Sequence, residues 1–139
     1  MVCSRWLLIY KSWVLAPSIM LKVYAYTGCS TCKNAIKWLK GRGVAFEERA
    51  IRETPPSVAE LKAMLVAYEG DVRRLFNVSG MDYRSLGLKD TLPGMSEEAA
   101  LELLAGNGNL VKRPFAIDVG KKVFLVGFKE GEWEAALGK

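Results

Sequence analysis

The stretch "LKVYAYTGCSTCKNAIKWLKGRG", residues 21–43, constrains the fold of this chain more than any other. "LKVYAY" alternates β-branched and aromatic residues with others, the pattern of a strand. Thr27-Gly28 breaks it. From Ser30 to Arg42, Ala35, Ile36 and Leu39 recur at helical spacing in register with Cys32. Gly41 and Gly43 end the helix, and "VAFEERAI" predicts a second strand. A strand, a helix and a strand in this order predict two parallel strands with a right-handed crossover.

The middle of the chain changes character. Pro55-Pro56 punctuates it. Ser57 with Glu60 forms a capping box, followed by an apolar face of Leu61, Met64, Leu65 and Tyr68 that closes at Gly70. "DVRRLF" suggests a short helical piece capped by Asp71. "NVSGMDYRSLGLKDTLPG" is loop-rich, with a helical turn around Tyr83 to Leu86. Ser96 caps "EEAALELLA", and Gly106 stops it. Residues 57–105 therefore read as wholly helical. "PFAIDVGKKVFLVGF" then gives two apolar runs joined by Asp118-Val119-Gly120-Lys121, a hairpin signal, and "EGEWEAAL" closes as a helix. The order β-α-β, helices, β-β-α is an α/β, thioredoxin-like fold with an all-helical insert, about 57–105, between its halves.

The chain has 139 residues, enough for one domain with a substantial core. Residues 1–19, "MVCSRWLLIYKSWVLAPSI", are apolar but interrupted by Lys11. They fall short of the roughly 20 apolar residues a membrane span needs. Arg5 ahead of an apolar run, with Ala16 and Ser18 after it, sketches a signal peptide, but Lys11 breaks its core. The expectation is an extension outside the fold, with Met20 opening a domain over 20–139 and Cys3 taking no catalytic part. Net charge is +5, from 20 Lys+Arg against 15 Asp+Glu. Arg5 and Lys11 supply two of those charges and no acid precedes Met20, so the rest of the chain carries +3. That suits an anionic small substrate or an acidic protein patch, and no basic run is dense enough for nucleic acid. Arg73, Arg74, Arg84 and Lys89 read as a solvated face, and Trp38 and Trp133 as packing residues.

There is no histidine. This excludes a Ser-His or Cys-His pair and any histidine-ligated metal. Three cysteines are too few for a secreted disulfide framework, so the Cys29–Cys32 spacing points to redox chemistry in a reducing compartment, the cytoplasm. Cysteines three apart at a helix start can share a face. The free N–H groups there favour a thiolate on the first, and Lys33, with its positive charge, follows one turn on. This reading assigns Cys29 as the attacking thiolate and Cys32 as the resolving thiol. The rival readings fare less well. A zinc site wants a second pair of ligands. A phosphatase-type loop needs an arginine where Ala35 or Trp38 stands. A P-loop needs Gly-Lys-Ser/Thr, which "GCSTCKNA" lacks. A buried structural thiol pair remains open for Cys32, whereas Cys29 beside Gly28 in a strand-helix turn is expected to be accessible.

Three stretches, "YTGCSTCKNAIKWL", "LFNVSGMDYRSLGL" and "LVKRPFAIDVGKKVFLVGFKEGEWEAAL", resemble in order the ArsC/Spx family of thioredoxin-fold proteins, over about Met20 to Leu137. The resemblance implies that Cys29 is the redox-active cysteine and that Pro114 is a cis-proline facing it. It also implies that Arg113 is the arginine near the active site, able to stabilise a thiolate or bind an oxyanion. Thr27, Gly28, Ser30, Thr31 and Lys33 would shape the site. The family's detoxifying arsenate reductases carry a single active cysteine and further arginines where this chain reads "LFNVSG" and "LVGFKE". The Cys29-Ser-Thr-Cys32 loop is similar instead to the Spx branch. Two functions are implied. One is a monomeric oxidoreductase with no bound cofactor or metal, drawing electrons from glutathione, glutaredoxin or thioredoxin. The other is a redox-sensing regulator that docks on the carboxy-terminal domain of the RNA polymerase α-subunit.

Overall fold

The computed structural model describes residues 20–138. The expected extension over 1–19, and Cys3 within it, lie outside the described residues. A four-stranded sheet organises the rest, in the order β2-β1-β3-β4. Strand β1 (Leu21–Ala25) pairs parallel with β2 (Phe46–Ala50) and antiparallel with β3 (Phe115–Asp118), which pairs antiparallel with β4 (Val123–Val126). Helix α1 (Ser30–Gly41) makes the β1–β2 crossover. This is the thioredoxin-like arrangement expected from the element order.

Period-two alternation splits each central strand between two cores. Leu21, Val23 and Ala25 of β1, Ala116 of β3 and Val123 and Leu125 of β4 face one side. There they meet Cys32, Ala35 and Leu39 of α1 and Trp133 of α6 (Glu130–Leu137). Trp38, Phe128 and Trp133 extend this layer as edge-on aromatic pairs, with centroids 5.1–6.3 Å apart. Tyr24, Phe115 and Ile117 point the other way, into the insert. The insert holds α2 (Val58–Ala67), the short helices α3 (Met81–Ser85) and α4 (Leu88–Thr91), and α5 (Glu97–Gly106). Both sheet faces are thus covered, one by α1 and α6 from the two ends of the fold and the other by the insert between them.

Glu60 fastens the insert to the sheet. Its carboxylate accepts from the Ser57 N–H at 3.1 Å, completing the capping box, and reaches across to the Tyr24 hydroxyl at 2.7 Å and to Lys22 Nζ at 3.2 Å. One side chain therefore caps α2 and satisfies a hydroxyl that would otherwise be buried unpaired.

The structure differs from the sequence reading in four places. The insert is not wholly helical, because Phe76 makes an antiparallel bridge to Val111. Asp71 makes no side-chain cap: Val72–Leu75 is a single 3-10 turn, anchored by the Arg74 N–H on the Asp71 carbonyl at 3.1 Å. Helix α5 runs through Gly106. Asn107 ends it by leaving helical geometry (φ −149°, ψ 97°) and accepting the Asn109 N–H on its own side chain. In the hairpin, Asp118 stays in β3 opposite Val123, and its carboxylate accepts the Lys121 N–H at 3.1 Å. The four-residue loop is therefore 119–122, one residue later than expected, and Lys122 in it takes positive φ.

Candidate active site

The loop between β1 and α1 is a tight turn, closed by the Cys29 N–H on the Tyr26 carbonyl at 3.0 Å. Gly28 lets the Tyr26 ring lie against the turn: a Cβ on it would stand 2.6 Å from Cε2 of that ring and displace it. Cys29 is the N-cap of α1, with extended backbone (φ −98°, ψ 117°). Its Sγ accepts the Cys32 N–H at 3.4 Å, the position a serine or aspartate oxygen ordinarily fills. The first turn of α1 carries no acid. A negative sulfur at this end meets a free N–H and the positive end of the helix dipole.

The two thiols, both free, have opposite surroundings. Cys29 is half-buried, and burial alone would raise its pKa. That effect is outweighed by the Cys32 N–H and thiol and by the hydrogen bonding and charge of Arg113, so the Cys29 pKa falls below the ordinary thiol value. Cys32 is 1% exposed. Burial pushes its pKa up to about 12, and the adjacent Cys29 sulfur adds to the rise. The pair therefore holds a more readily ionised thiol outside and a protonated thiol beneath it, the division of labour that attack followed by resolution needs.

Arg113 reaches the site from a constrained segment. Upstream, the Lys112 N–H donates to the Leu75 carbonyl at 2.8 Å, beside the Phe76–Val111 bridge. Downstream, the Arg113-Pro114 bond is cis, and the Pro114 carbonyl accepts the Gly127 N–H at 2.9 Å. Pro114 is buried and opens β3, and Trp133 Nε1 ties the same corner by donating to the Gly127 carbonyl at 3.0 Å. The insert and the hairpin thus jointly aim Arg113 at Cys29.

Thr27, Ser30, Thr31 and Lys33 are exposed around the thiol. Tyr26, Thr27, Cys32, Lys33, Ile36 and Lys37 border a groove of about 420 Å³ beside the resolving cysteine. A second hollow, of about 330 Å³, is bordered by Arg73, Arg74, Lys112 and Lys129. Among the described residues no three metal-type ligands converge. No helix there is long and apolar enough to cross a membrane. Sequence reasoning did not single out Tyr26, Arg52 or Asn109 as site residues. The Arg52 and Arg113 guanidinium carbons lie 4.4 Å and 5.0 Å from the Tyr26 ring centroid, and Arg52 Nε donates to Asn109 Oδ1 at 2.6 Å. The available signal was the turn-forming triplet Asn107-Gly108-Asn109 just before β3.

A sequence model of the ArsC family matches residues 24–136, spanning both thiols, the insert, Arg113 and the hairpin. The chain belongs to the ArsC family. Within it, the Bacillus subtilis protein YusI, described as uncharacterized, is 49% identical over 82% of this chain and 95% of its own length. The global transcriptional regulator Spx of Enterococcus faecalis is 33% identical, covering 81% of this chain and 83% of the regulator. Among solved structures, an ArsC family related protein from Bacteroides fragilis superimposes with a TM-score of 0.78 at 40% identity, covering 86% of this chain and 98% of that one. ArsC-family membership thus takes in both readings implied by the resemblance, a reductase and a regulator.

Proposed function

We propose that this ArsC-family protein is a thiol-disulfide oxidoreductase of the cytoplasm. Cys29 is its attacking thiolate and Cys32 its resolving thiol, and electrons are returned by glutathione or thioredoxin. The observation that carries this reading is the asymmetry of the pair. The Cys29 sulfur takes the helix N–H and the Arg113 charge, while Cys32 is buried and protonated. A structural thiol pair needs neither. In the first step the Cys29 thiolate attacks a substrate sulfur, and the departing sulfur leaves as a thiolate. Cys32 then gives up its proton and displaces the adduct by closing Cys29–Cys32, and the donor reopens that disulfide. Arg113 favours the ionised form of Cys29.

Arsenate is the weaker substrate candidate. Asn77 stands in the "LFN" segment and Gly127 and Phe128 in the "LVGF" segment, where the oxyanion arginines of family arsenate reductases are expected, leaving Arg113 without them.

The relatives support a second reading, in which the same dithiol is an oxidation switch on a regulator that docks on the RNA polymerase α-subunit. The hollow lined by Arg73, Arg74, Lys112 and Lys129, with Asp71 at its border and Glu132 beside Lys129, is cationic on balance and suits an acidic protein surface.

Coupled turnover separates the two. NADPH consumption is followed through glutathione with its reductase and through thioredoxin with its reductase, with a small disulfide as substrate. The oxidoreductase reading expects multiple turnovers that vanish in Cys29→Ser. A single stoichiometric oxidation, with no turnover from either donor and binding to the polymerase α-subunit, supports the regulator instead.

A further inference from the structure

Two guanidinium groups share the Tyr26 ring, and Tyr26 packs on Gly28, the residue before Cys29. They are used differently. Arg113 acts on the Cys29 sulfur, whereas the one side-chain bond of Arg52 among the described residues goes to Asn109. Neither has a carboxylate partner among the described residues. Arg52 is exposed and spends only its Nε, on Asn109. Its two terminal nitrogens, the fork that matches a carboxylate, have no acceptor among the described residues.

Two cations beside one ring repel each other, and an unrestrained exposed arginine would swing away into water. The structure holds Arg52 in place. The Asn107-Gly108-Asn109 turn lies so close against the end of β2 that a Cβ on Gly108 would stand 1.8 Å from the Ile51 carbonyl oxygen and 3.0 Å from Arg52 Cα. The Asn109 N–H closes the turn on Asn107 Oδ1 at 3.0 Å. Asp82 of the insert then takes the Asn107 and Asn109 amides at 3.0 and 3.4 Å. One oxygen of the Asp82 carboxylate thus takes both amides of the turn that holds Arg52, and Arg52 has no ion-pair partner among the described residues. A positive group held on the ring that packs beside Gly28, the residue before the reactive thiol, with its fork free, has the makings of a recognition element.

We propose that Arg52 is the second anion-recognition residue of the Cys29 site, and that the disulfides Cys29 attacks carry a carboxylate within reach of the Arg52 fork. This rests on the thiol-exchange reading above. Cys29 forms a bond to one substrate sulfur, the substrate S–S bond breaks, and its second sulfur leaves with the electron pair as a thiolate. The Cys32 proton passes to that thiolate. Cys32 then attacks Cys29, closing the protein disulfide and releasing the first sulfur as a thiolate. The substrate disulfide is reduced to two thiols and the protein dithiol is oxidised. Arg52 takes no part in bond exchange. It holds the carboxylate while the sulfurs align.

The test compares three disulfides of similar size: dithiodipropionate (dianionic), hydroxyethyl disulfide (neutral) and cystamine (dicationic). The readout is the second-order rate of Cys29–Cys32 oxidation in the reduced full chain. Wild type should prefer the dianion, and the preference should shrink with added salt. Arg52→Gln should slow the dianion roughly five- to tenfold while leaving the neutral disulfide within about twofold, the range expected for one partly solvated charge-assisted contact. Asn109→Ala, which keeps the charge but removes the Nε anchor, should lose part of the same preference, and Arg52→Lys should retain part of it. Equal slowing of all three disulfides by Arg52→Gln, or none, overturns the assignment of Arg52 alone. A wild-type protein inert to all three, hydroxyethyl disulfide included, overturns the exchange reading beneath it.

Discussion

Replacing Glu60 by alanine tests how the insert is held to the sheet, and its size can be worked out from the contacts. The side chain is 15% exposed and is bonded to three residues. The charge-assisted bond from the Tyr24 hydroxyl, at 2.7 Å, is of the class that contributes about 1.5–3 kcal/mol. The reciprocal capping bond to the Ser57 N–H contributes about 0.5–1 kcal/mol. The Lys22 pair, whose lysine is 31% exposed, adds less than about 1 kcal/mol. These are not additive, since all share one carboxylate, and a loss of about 3 kcal/mol is expected for Glu60→Ala. For a domain of this size that lowers the melting temperature by roughly 10 °C. Glu60→Gln keeps the bond geometry and drops only the charge, so it should lose about 1 kcal/mol.

The pH dependence carries a sign. Burial opposes ionisation of Glu60, but the Tyr24, Ser57 and Lys22 contacts outweigh it and hold its folded pKa below the ordinary carboxylate value. Its contribution is therefore fully present above the unfolded carboxylate pKa and is lost as pH falls through the lower folded one. Tyr24 is shifted upward, first by burial and then by the Glu60 contact, so its contribution holds below the unfolded tyrosine pKa and is lost as pH rises beyond it. Urea titrations of wild type, Glu60→Ala and Glu60→Gln at neutral and acid pH provide the assay. A Glu60→Ala protein melting within about 2 °C of wild type, or one whose deficit does not shrink in acid, would refute the reasoning.

Three further outcomes are expected. Arg113→Gln should raise the Cys29 pKa, moving the thiolate absorbance transition to higher pH. Gly108→Ala should destabilise the fold by about 2–3 kcal/mol in urea titrations, because the new Cβ forces the turn off the Ile51 carbonyl, and it should also weaken the dianion preference set by Arg52. Alkylation of the reduced protein at neutral pH should modify Cys29 and spare Cys32, as peptide mapping would report, given the burial and high pKa of Cys32.

Much of this was legible in the sequence because local signals and tertiary placement agree. The alternation of "LKVYAY", the Cys32-Ala35-Leu39 stripe and the Ser57-Glu60 box each lead to the element observed. What stayed hidden depends on contacts between distant segments. Nothing local in "VAFEERAIRE" says that Arg52 stacks on Tyr26, because that placement is set by a turn more than fifty residues later. The helix stop at Asn107 was misplaced to Gly106 for a similar reason. Glycine is the usual helix stop, but here the asparagine side chain captures the next turn and leaves Gly106 in ordinary helix. Asp71 and Asp118 show the converse. Each sits at a boundary, and only Asp118 has a backbone N–H within its reach.

The most direct test of the central claim is the covalent fate of each sulfur. Reduced wild type and Cys32→Ser, each mixed with excess hydroxyethyl disulfide, are mapped by mass spectrometry without reduction. Wild type should end as an adduct-free Cys29–Cys32 disulfide, and Cys32→Ser should accumulate one mixed disulfide on Cys29. An adduct on Cys32 in the wild type, or a Cys32→Ser protein left unmodified at Cys29, would contradict the assignment of Cys29 as the attacking thiolate.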